Sequence, residues 1–274
     1  MRSPKAIAGA LAAHRGGIER FVRQLDRDKV PYLSYSKIAA VEFCPYRYYL
    51  EYVAGVKPKP EPAYLAKGRT FHKAADQLYH RTARGLSIGH EALFFLADKH
   101  RGEDRRHLRN AIQVLVEQAW TGYEVLGVEE PFVLPLGKGL PPCIGVVDLV
   151  LRRDGVIAVV DHKTGNRFNK LDTMQMAVYR QHVLRKHRAK ECSAWFDQYR
   201  WVADLGRIRK PAFQRTQVHL RSTSWTAALR RFSRGYQRIL RIEEKQDARA
   251  TGSCHSCALK GVCDKAVLEY GSWW

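Results

Sequence analysis

No run of about 18 apolar residues occurs anywhere in the chain, so no stretch is built to cross a bilayer as a helix. Internal repeats and low-complexity linkers are also lacking. No Gly-x-x-x-x-Gly-Lys-Ser/Thr run is present, and ATP-driven unwinding is therefore not expected. Helix-turn-helix and zinc-finger patterns for reading base sequence are missing too. A short apolar stretch, Ala6 to Ala13, follows Arg2 and Lys5, but it is too brief and mild for a secretory signal and runs into His14-Arg15. It reads as a helix start or a loose arm, and a cytoplasmic location is the expectation. The scarce charge is negative: 27 Asp plus Glu stand against 47 Lys plus Arg, a formal +20. Such a surface attracts polyanions, nucleic acid foremost, because neutralising phosphates releases counterions. Binding of that kind is salt-sensitive and largely indifferent to sequence.

What is present is a soluble composition, 45% hydrophobic and 27% charged over 274 residues, enough for a sizeable core. Helical spacing covers 18–28 and 36–53, the second broken at Cys44-Pro45, where Pro suits a first helical turn. A longer helical pattern spans 64–84, with Leu65, Phe71, Ala75 and Leu78 assigned to one side. Two more helices are predicted near 90–99 and 104–125, the latter on Leu108, Ile112, Leu115 and Ala119. The texture then changes to Val, Ile and Leu over 128–136, 143–151 and 156–161, with Arg152-Arg153-Asp154-Gly155 as a turn: a β-meander with a tight hairpin. A helix at 172–188, strands near 193–202 and 213–221, and a helix from Ser224 to about 243 complete the pattern. Basic residues are denser at 101–109, 180–190 and 200–215, and Tyr46, Tyr48, Tyr49, Tyr52 and Tyr64 are available for stacking on bases.

The stretch from Gly145 to Lys163 is the most informative. Asp148 sits inside the apolar strand Gly145-Val146-Val147-Asp148-Leu149-Val150-Leu151, and Asp161 ends the next one, with Lys163 two residues on. A carboxylate in such a strand is costly to bury without a partner or a metal. Strands paired about 5 Å apart can bring two carboxylates to one cation. Alternation puts Asp161 and Lys163 on one face and turns His162 away. Two acids and an ammonium group suit phosphodiester hydrolysis, in which carboxylates hold a divalent ion and a cation stabilises developing charge.

These pieces resemble the PD-(D/E)xK nuclease superfamily, its RecB-like branch and the CRISPR-associated exonucleases within it. They stand in that family's order: Gly68-Arg69-Thr70-Phe71-His72; Glu129 in Val128-Glu129-Glu130-Pro131-Phe132; Gly145-x-x-Asp148; Asp161-His162-Lys163-Thr164-Gly165; and Gln175-x-x-x-Tyr179. The resemblance implies a restriction-endonuclease-like α/β fold, a central mixed β-sheet flanked by helices. It implies a single nuclease domain over 31–274 with its core about 64–222, preceded by an N-terminal helical arm over 1–30. By the same resemblance His72, Asp148 and Asp161 are metal ligands, joined by the carbonyl of His162 and by Glu129, for which Glu130 could substitute in the register. Lys163 positions or activates the attacking water. Gln175 and Tyr179, one helical turn apart, touch DNA or brace Lys163. The metal is Mn²⁺ or Mg²⁺, and the imidazole ligand should admit Mn²⁺ at least as readily.

Cys254-x-x-Cys257 and Cys263 lie close together near the C-terminal end, a crowding that points to a metal rather than to a disulfide framework. Cys44, in Phe43-Cys44-Pro45-Tyr46-Arg47-Tyr48-Tyr49, has the wording of the RecB-like cluster families; Cys143 and Cys192 sit in or beside apolar strands as buried thiols. Four thiolates suit zinc as well as iron. The resemblance implies that Cys44, Cys254, Cys257 and Cys263 hold a 4Fe–4S cluster joining the helical segments 36–53 and 250–265. The activity implied is metal-dependent DNA exonuclease action, preferring single-stranded ends, in recombination or repair, phage DNA metabolism or CRISPR adaptation. A homo-oligomer or a recombination or adaptation protein as partner stays open. The alternative is a non-catalytic Fe–S or zinc DNA-binding adaptor on the same fold.

Overall fold

The computed structural model describes residues 3–13, 17–58, 60–168, 171–221, 223–245, 248–251 and 254–266. In chain order the elements are α1 (Pro4–Ala13), α2 (Gly17–Arg27), α3 (Tyr35–Phe43), α4 (Pro45–Tyr48), a π-helical turn (Tyr49–Val53), α5 (Ala63–Thr82), α6 (Phe94–Ala97) and α7 (Gly102–Glu117). Strands β1 (Glu124–Leu134), β2 (Cys143–Arg153) and β3 (Val156–Gly165) follow, then α8 (Thr173–Lys186), β4 (Cys192–Arg200), β5 (Phe213–Gln217) and α9 (Thr223–Lys245). The strands form one sheet in the order β1-β2-β3-β4-β5. It is mixed, because β3 pairs antiparallel with β2 but parallel with β4, across the connection that carries α8.

The hairpin between β2 and β3 turns at Asp154 (φ 49) and Gly155 (φ 79), both left-handed, as a two-residue turn matched to strand twist requires. β3 runs four residues beyond the apolar stretch that identifies it in sequence, because its parallel ladder with β4 continues to Gly165 opposite Arg200. α7 ends at Glu117 rather than running on to 125: Trp120 to Tyr123 form the turn into β1.

The chain divides into two compact units. The first comprises 1–62, 132–145 and 226–274. Within it, Ile7 of α1 and Phe21 and Leu25 of α2 share a small apolar cluster with Val30, Tyr32 and Ile144. The Ser34 hydroxyl accepts from the Lys37 amide and caps α3. Cys44 is extended (φ -162), so the helix stops there and Pro45 opens α4. Tyr48 donates to Glu243 of α9 at 2.8 Å, and the Arg231 guanidinium of α9 grips Glu42. Gly145 has a packing reason to be glycine: a Cβ there would lie 2.6 Å from the Phe132 ring.

The second unit comprises 63–131 and 146–225. Its core joins Phe71, Ala75 and Leu78 of α5 to Leu108, Ile112 and Leu115 of α7 and to Leu149, Leu151, Ala158 and Val160 of the sheet. Leu65, assigned from sequence to the same side of α5 as Phe71, is exposed instead. Each of the buried Leu, Ile and Phe side chains contributes about 1.5–3 kcal/mol by leaving water. This packing holds α5 and β3 rigid where they meet the polar residues below.

Candidate active site

Strand alternation along the second half of β3 sends neighbouring side chains to opposite fates. Val160, opposite Leu149, belongs to the core. Asp161, the next residue of β3, and Asp148, the residue before Leu149 on β2, turn to the other side of the sheet. Asp161 is buried, and its Oδ2 lies 2.7 Å from Lys163 Nζ. Gln175 Nε2 donates to Asp161 Oδ1 at 2.8 Å and to the Tyr179 hydroxyl at 2.8 Å, one turn further along α8. Gln175 therefore braces the carboxylate that holds Lys163, rather than Lys163 itself. The His162 amide donates to Asp148 Oδ2 at 2.8 Å. The His162 ring faces the core, stacked on Tyr79 with centroids 5.9 Å apart, and neither ring nitrogen has a hydrogen-bond partner.

Two further residues reach the same place. His72, on α5, has Nδ1 3.5 Å from Glu129 Oε1 and 3.7 Å from Asp148 Oδ2. One donor atom from each of His72, Glu129 and Asp148 lies within 4.8 Å of the other two. Glu129 is in the left-handed region (φ 46), an unusual conformation for a residue with a side chain. Glu130 takes a different direction: its carboxylate accepts from Lys186 at 2.6 Å and lies 2.8 Å from His182 Nε2, both on α8. So the structure brings Glu129, not Glu130, to His72 and Asp148. Asp161 adjoins them, its carboxylate engaged by Lys163 and Gln175.

The electrostatics follow from crowding acids in a dry place. Burial pushes Asp148 above the usual carboxylate range, against the pull of His72 and Lys163. Asp161 is raised to about 6, burial outweighing Lys163 and Asp148 adding to the rise. Burial alone would lower His72, but Asp148 and Glu129 hold it up at about 9. Lys163 is opposed by burial and raised by Asp161 and Asp148. His162, with burial dominant, is lowered to about 3, so its ring is neutral.

This donor set fits a divalent cation. Two carboxylates and an imidazole suit Mg²⁺ or Mn²⁺, one donor atom of each lies within 4.8 Å of the others, and the buried Asp161 Oδ2 accepts no hydrogen bond beyond its ion pair.

In the first unit, Cys44, Cys254, Cys257 and Cys263 line one pocket together with the apolar Phe43, Leu50, Ala250, Leu259 and Ala266. The break between α3 and α4 delivers Cys44, and tight turns deliver the others: the Cys257 amide donates to Cys254 O at 3.0 Å, and Ala266 to Cys263 O at 3.1 Å. Arg47 and Lys260 complete this lining, and among the described residues no three of these sulfurs lie within 4.8 Å of one another, as the donor atoms of His72, Glu129 and Asp148 do; four thiolates as such suit a cluster or zinc. Cys143 and Cys192 are buried elsewhere, and burial raises both thiols, Cys192 to about 12.

Sequence reasoning missed two charge networks built on buried acids. Glu130 with His182 and Lys186 is one; the i,i+4 spacing of the two bases on α8 is the signal that could have found it. The other is Asp197, fully buried, which accepts two bonds from Arg215 and one from the Trp120 indole, each 2.8 or 2.9 Å. No periodicity marks it.

The family model described as PD-(D/E)XK nuclease superfamily matches residues 32–264. No curated protein matches the chain in sequence. Among solved structures, one titled "Putative exonuclease", from Eubacterium rectale, is similar at 12% identity and a TM-score of 0.52 over 88% of this chain and 89% of that one, a likeness of fold. A second, SSO0001, is 15% identical over 96% of this chain and 94% of that one, with a TM-score of 0.38. Among the described residues no helix is long and apolar enough to cross a membrane.

Proposed function

The chain belongs to the PD-(D/E)XK nuclease superfamily, and on that premise we propose that it is a divalent-metal-dependent deoxyribonuclease, an exonuclease working on single-stranded DNA ends. The observation that carries this reading is the meeting of Asp148, midway along β2, with Asp161 and Lys163 in the second half of β3, and with His72 and Glu129 beside Asp148. A complete set of acids plus the lysine is what a mere DNA-binding adaptor would have no reason to keep.

His72, Glu129, Asp148 and Asp161 would hold the ion, with the His162 carbonyl beside them. Mn²⁺ or Mg²⁺ bound there would polarise the scissile phosphate and acidify a water. Lys163, anchored on Asp161, presents its ammonium group for the charge that builds on the phosphate oxygens. Gln175 fixes the Asp161 carboxylate, and Tyr179 fixes Gln175. The basic surplus of the chain supplies a salt-sensitive grip on the strand. For the four cysteines in their shared pocket we favour a 4Fe–4S cluster, with structural zinc as the competing occupant. Closing a loop between positions as distant as 44 and 254 would stabilise the flanking segments. DNA recombination or repair, phage DNA metabolism and CRISPR adaptation are the settings for such an enzyme, alone, as a homo-oligomer or with a protein partner.

The test is digestion of single-stranded DNA labelled separately at its 5′ and 3′ ends, in Mn²⁺, Mg²⁺ or EDTA, beside Lys163→Ala protein purified identically. Metal-dependent release of short products, abolished by the substitution, is expected, and the order of label release gives polarity. Salt-sensitive binding without cleavage would instead make the protein an adaptor. Anaerobically purified protein should be brown; colourless protein with one equivalent of zinc would replace the cluster by zinc.

A further inference from the structure

The helix that supplies His72 continues for ten residues beyond it, and its exposed flank has a composition the hydrolytic site does not explain. On an α-helix, residues four apart form continuous rows. One row of α5 runs His72, Asp76, His80 and onward to Arg84 just past the helix end; the row beside it runs Arg69, Lys73, Gln77, Arg81. Arg69, Lys73, His80, Arg81 and Arg84 are all exposed. The acid on this flank, Asp76, is taken by His80 at 3.1 Å. Among the described residues Lys73, Arg81 and Arg84 make no ion pair, so they are not a mutually neutralised surface.

At the far end the two rows meet an aromatic ring. Asp76, Gln77, His80, Arg81, Arg84 and Phe95 line one open depression, and Phe95 is 52% exposed. A phenyl ring left half in water beside two unpaired guanidinium groups has little to do in the packing of its own unit. Together they have the two elements of a sequence-tolerant single-strand site: cations for phosphates and a flat ring on which any base can stack.

We propose that this flank of α5 is a track for single-stranded nucleic acid, running from the metal-binding residues to a stacking subsite at Phe95, Arg81 and Arg84. The proposal rests on the nuclease reading above and names where that enzyme holds the strand away from the scissile bond. From His72 to Thr82 the helix rises about 15 Å, and the turn carries the chain on to Arg84, a span of about 18 Å. A stacked strand advances about 3.4 Å per nucleotide, so the track accommodates about five nucleotides. Strands shorter than that engage the metal site without reaching Phe95.

The experiment compares wild-type protein with Arg81→Glu/Arg84→Glu, Phe95→Ala and Phe95→Trp, all at exposed positions. Fluorescent oligothymidylates of about 4 and about 15 nucleotides are titrated in EDTA across a range of salt, then digested in Mn²⁺. For the charge reversal, affinity for the longer strand should fall at least about tenfold and the slope of log affinity against log salt by about two. Phe95→Ala should weaken the longer strand by about 5- to 100-fold, and Phe95→Trp should retain wild-type affinity. Binding and hydrolysis of the shorter strand should be unchanged in every variant. Equal losses on both lengths, or no loss on the longer one, would overturn the track. Loss on blunt duplex equal to that on single strands would overturn its single-strand character. Wild-type protein that neither binds nor cuts DNA would remove the nuclease reading itself, whereas wild-type cleavage unaffected by the variants removes the track alone.

Discussion

Glu129 and Glu130 are consecutive on β1, yet their carboxylates serve different helices: Glu129 lies 3.5 Å from His72 on α5, and Glu130 is tied to Lys186 on α8 at 2.6 Å. Glu129 itself is in the left-handed region (φ 46). Glu130 acts as an anchor for the strand that presents its neighbour. Glu130→Gln should raise the Mn²⁺ concentration for half-maximal activity about tenfold, the scale of losing a group that orients a ligand, while leaving the rate at saturating Mn²⁺ near wild type. Were the saturated rate to fall as far as in Glu129→Ala, Glu130 would be a ligand and not an anchor.

Lys163 sits where its ammonium group can meet developing charge, 2.7 Å from Asp161. Lys163→Ala should lower kcat at least about 100-fold, with DNA affinity in EDTA changed much less. Lys163→Arg keeps the charge but spreads it over a plane that the Asp161 site is not shaped for, and should recover only a small part of the rate. Single-turnover kinetics under both metals would show this; an active Lys163→Ala protein would end the assignment.

His72 is held at about 9 without metal, chiefly because Asp148 and Glu129 outweigh burial. Since its folded value exceeds that of a free imidazole, protonation stabilises the metal-free fold. This contribution is complete below about pH 6.5 and is lost as pH rises through about 9. A metal needs the neutral ring, so loading must expel the proton below about pH 9. Calorimetry in buffers of different ionisation heat should register proton release between pH 7 and 8, with Mn²⁺ affinity rising by up to about tenfold per unit. His72→Gln should abolish that release.

Gln175 donates to the Asp161 carboxylate, whose value burial has already raised to about 6. A donor to the charged form favours it, so Gln175→Leu should raise Asp161 further. The acid limb of the metal-free titration, followed by carboxyl NMR, should move upward in the variant. Tyr179→Phe, which removes only the group holding Gln175, should move it less. An unmoved limb would leave Gln175 a packing residue.

Arg215 closes a network whose acid, Asp197, has no exposure at all. Arg215→Ala would strand that charge and should cost about 3–5 kcal/mol in denaturant unfolding. Adding Asp197→Leu should restore much of the loss, since an apolar replacement of the pair is often neutral. Additive losses in the double variant would mean that the two side chains act separately.

Sequence discloses those parts of this fold that one local preference governs. The β2–β3 hairpin follows from apolar runs flanking Asp154-Gly155, and the α3–α4 break from Pro45. The close approach of Asp148, Asp161 and Lys163 follows from alternation, given antiparallel pairing of two adjacent strands. The rest depends on distant partners. Helical periodicity overruns α7 because Ala119 continues the apolar spacing, while the Trp120 indole bonded to Asp197 belongs to a turn. Spacing places Leu65 on a core side of α5 that the packing does not extend to. Nor can spacing separate Glu129 from Glu130, since a single left-handed residue breaks the alternation on which such reasoning depends.

His162 stands between Asp161 and Lys163 with its ring pressed on Tyr79, inside the protein, while its two neighbours turn to the opposite side and pair with each other. A hairpin threaded one residue out of step would reverse all three at once, driving an acid and an ammonium group into the hydrocarbon and turning the imidazole outward. Misthreaded molecules would therefore be unstable as well as inactive. These three residues thus proofread the strand, so a population of this protein that is folded is also a population whose acids and lysine are in frame.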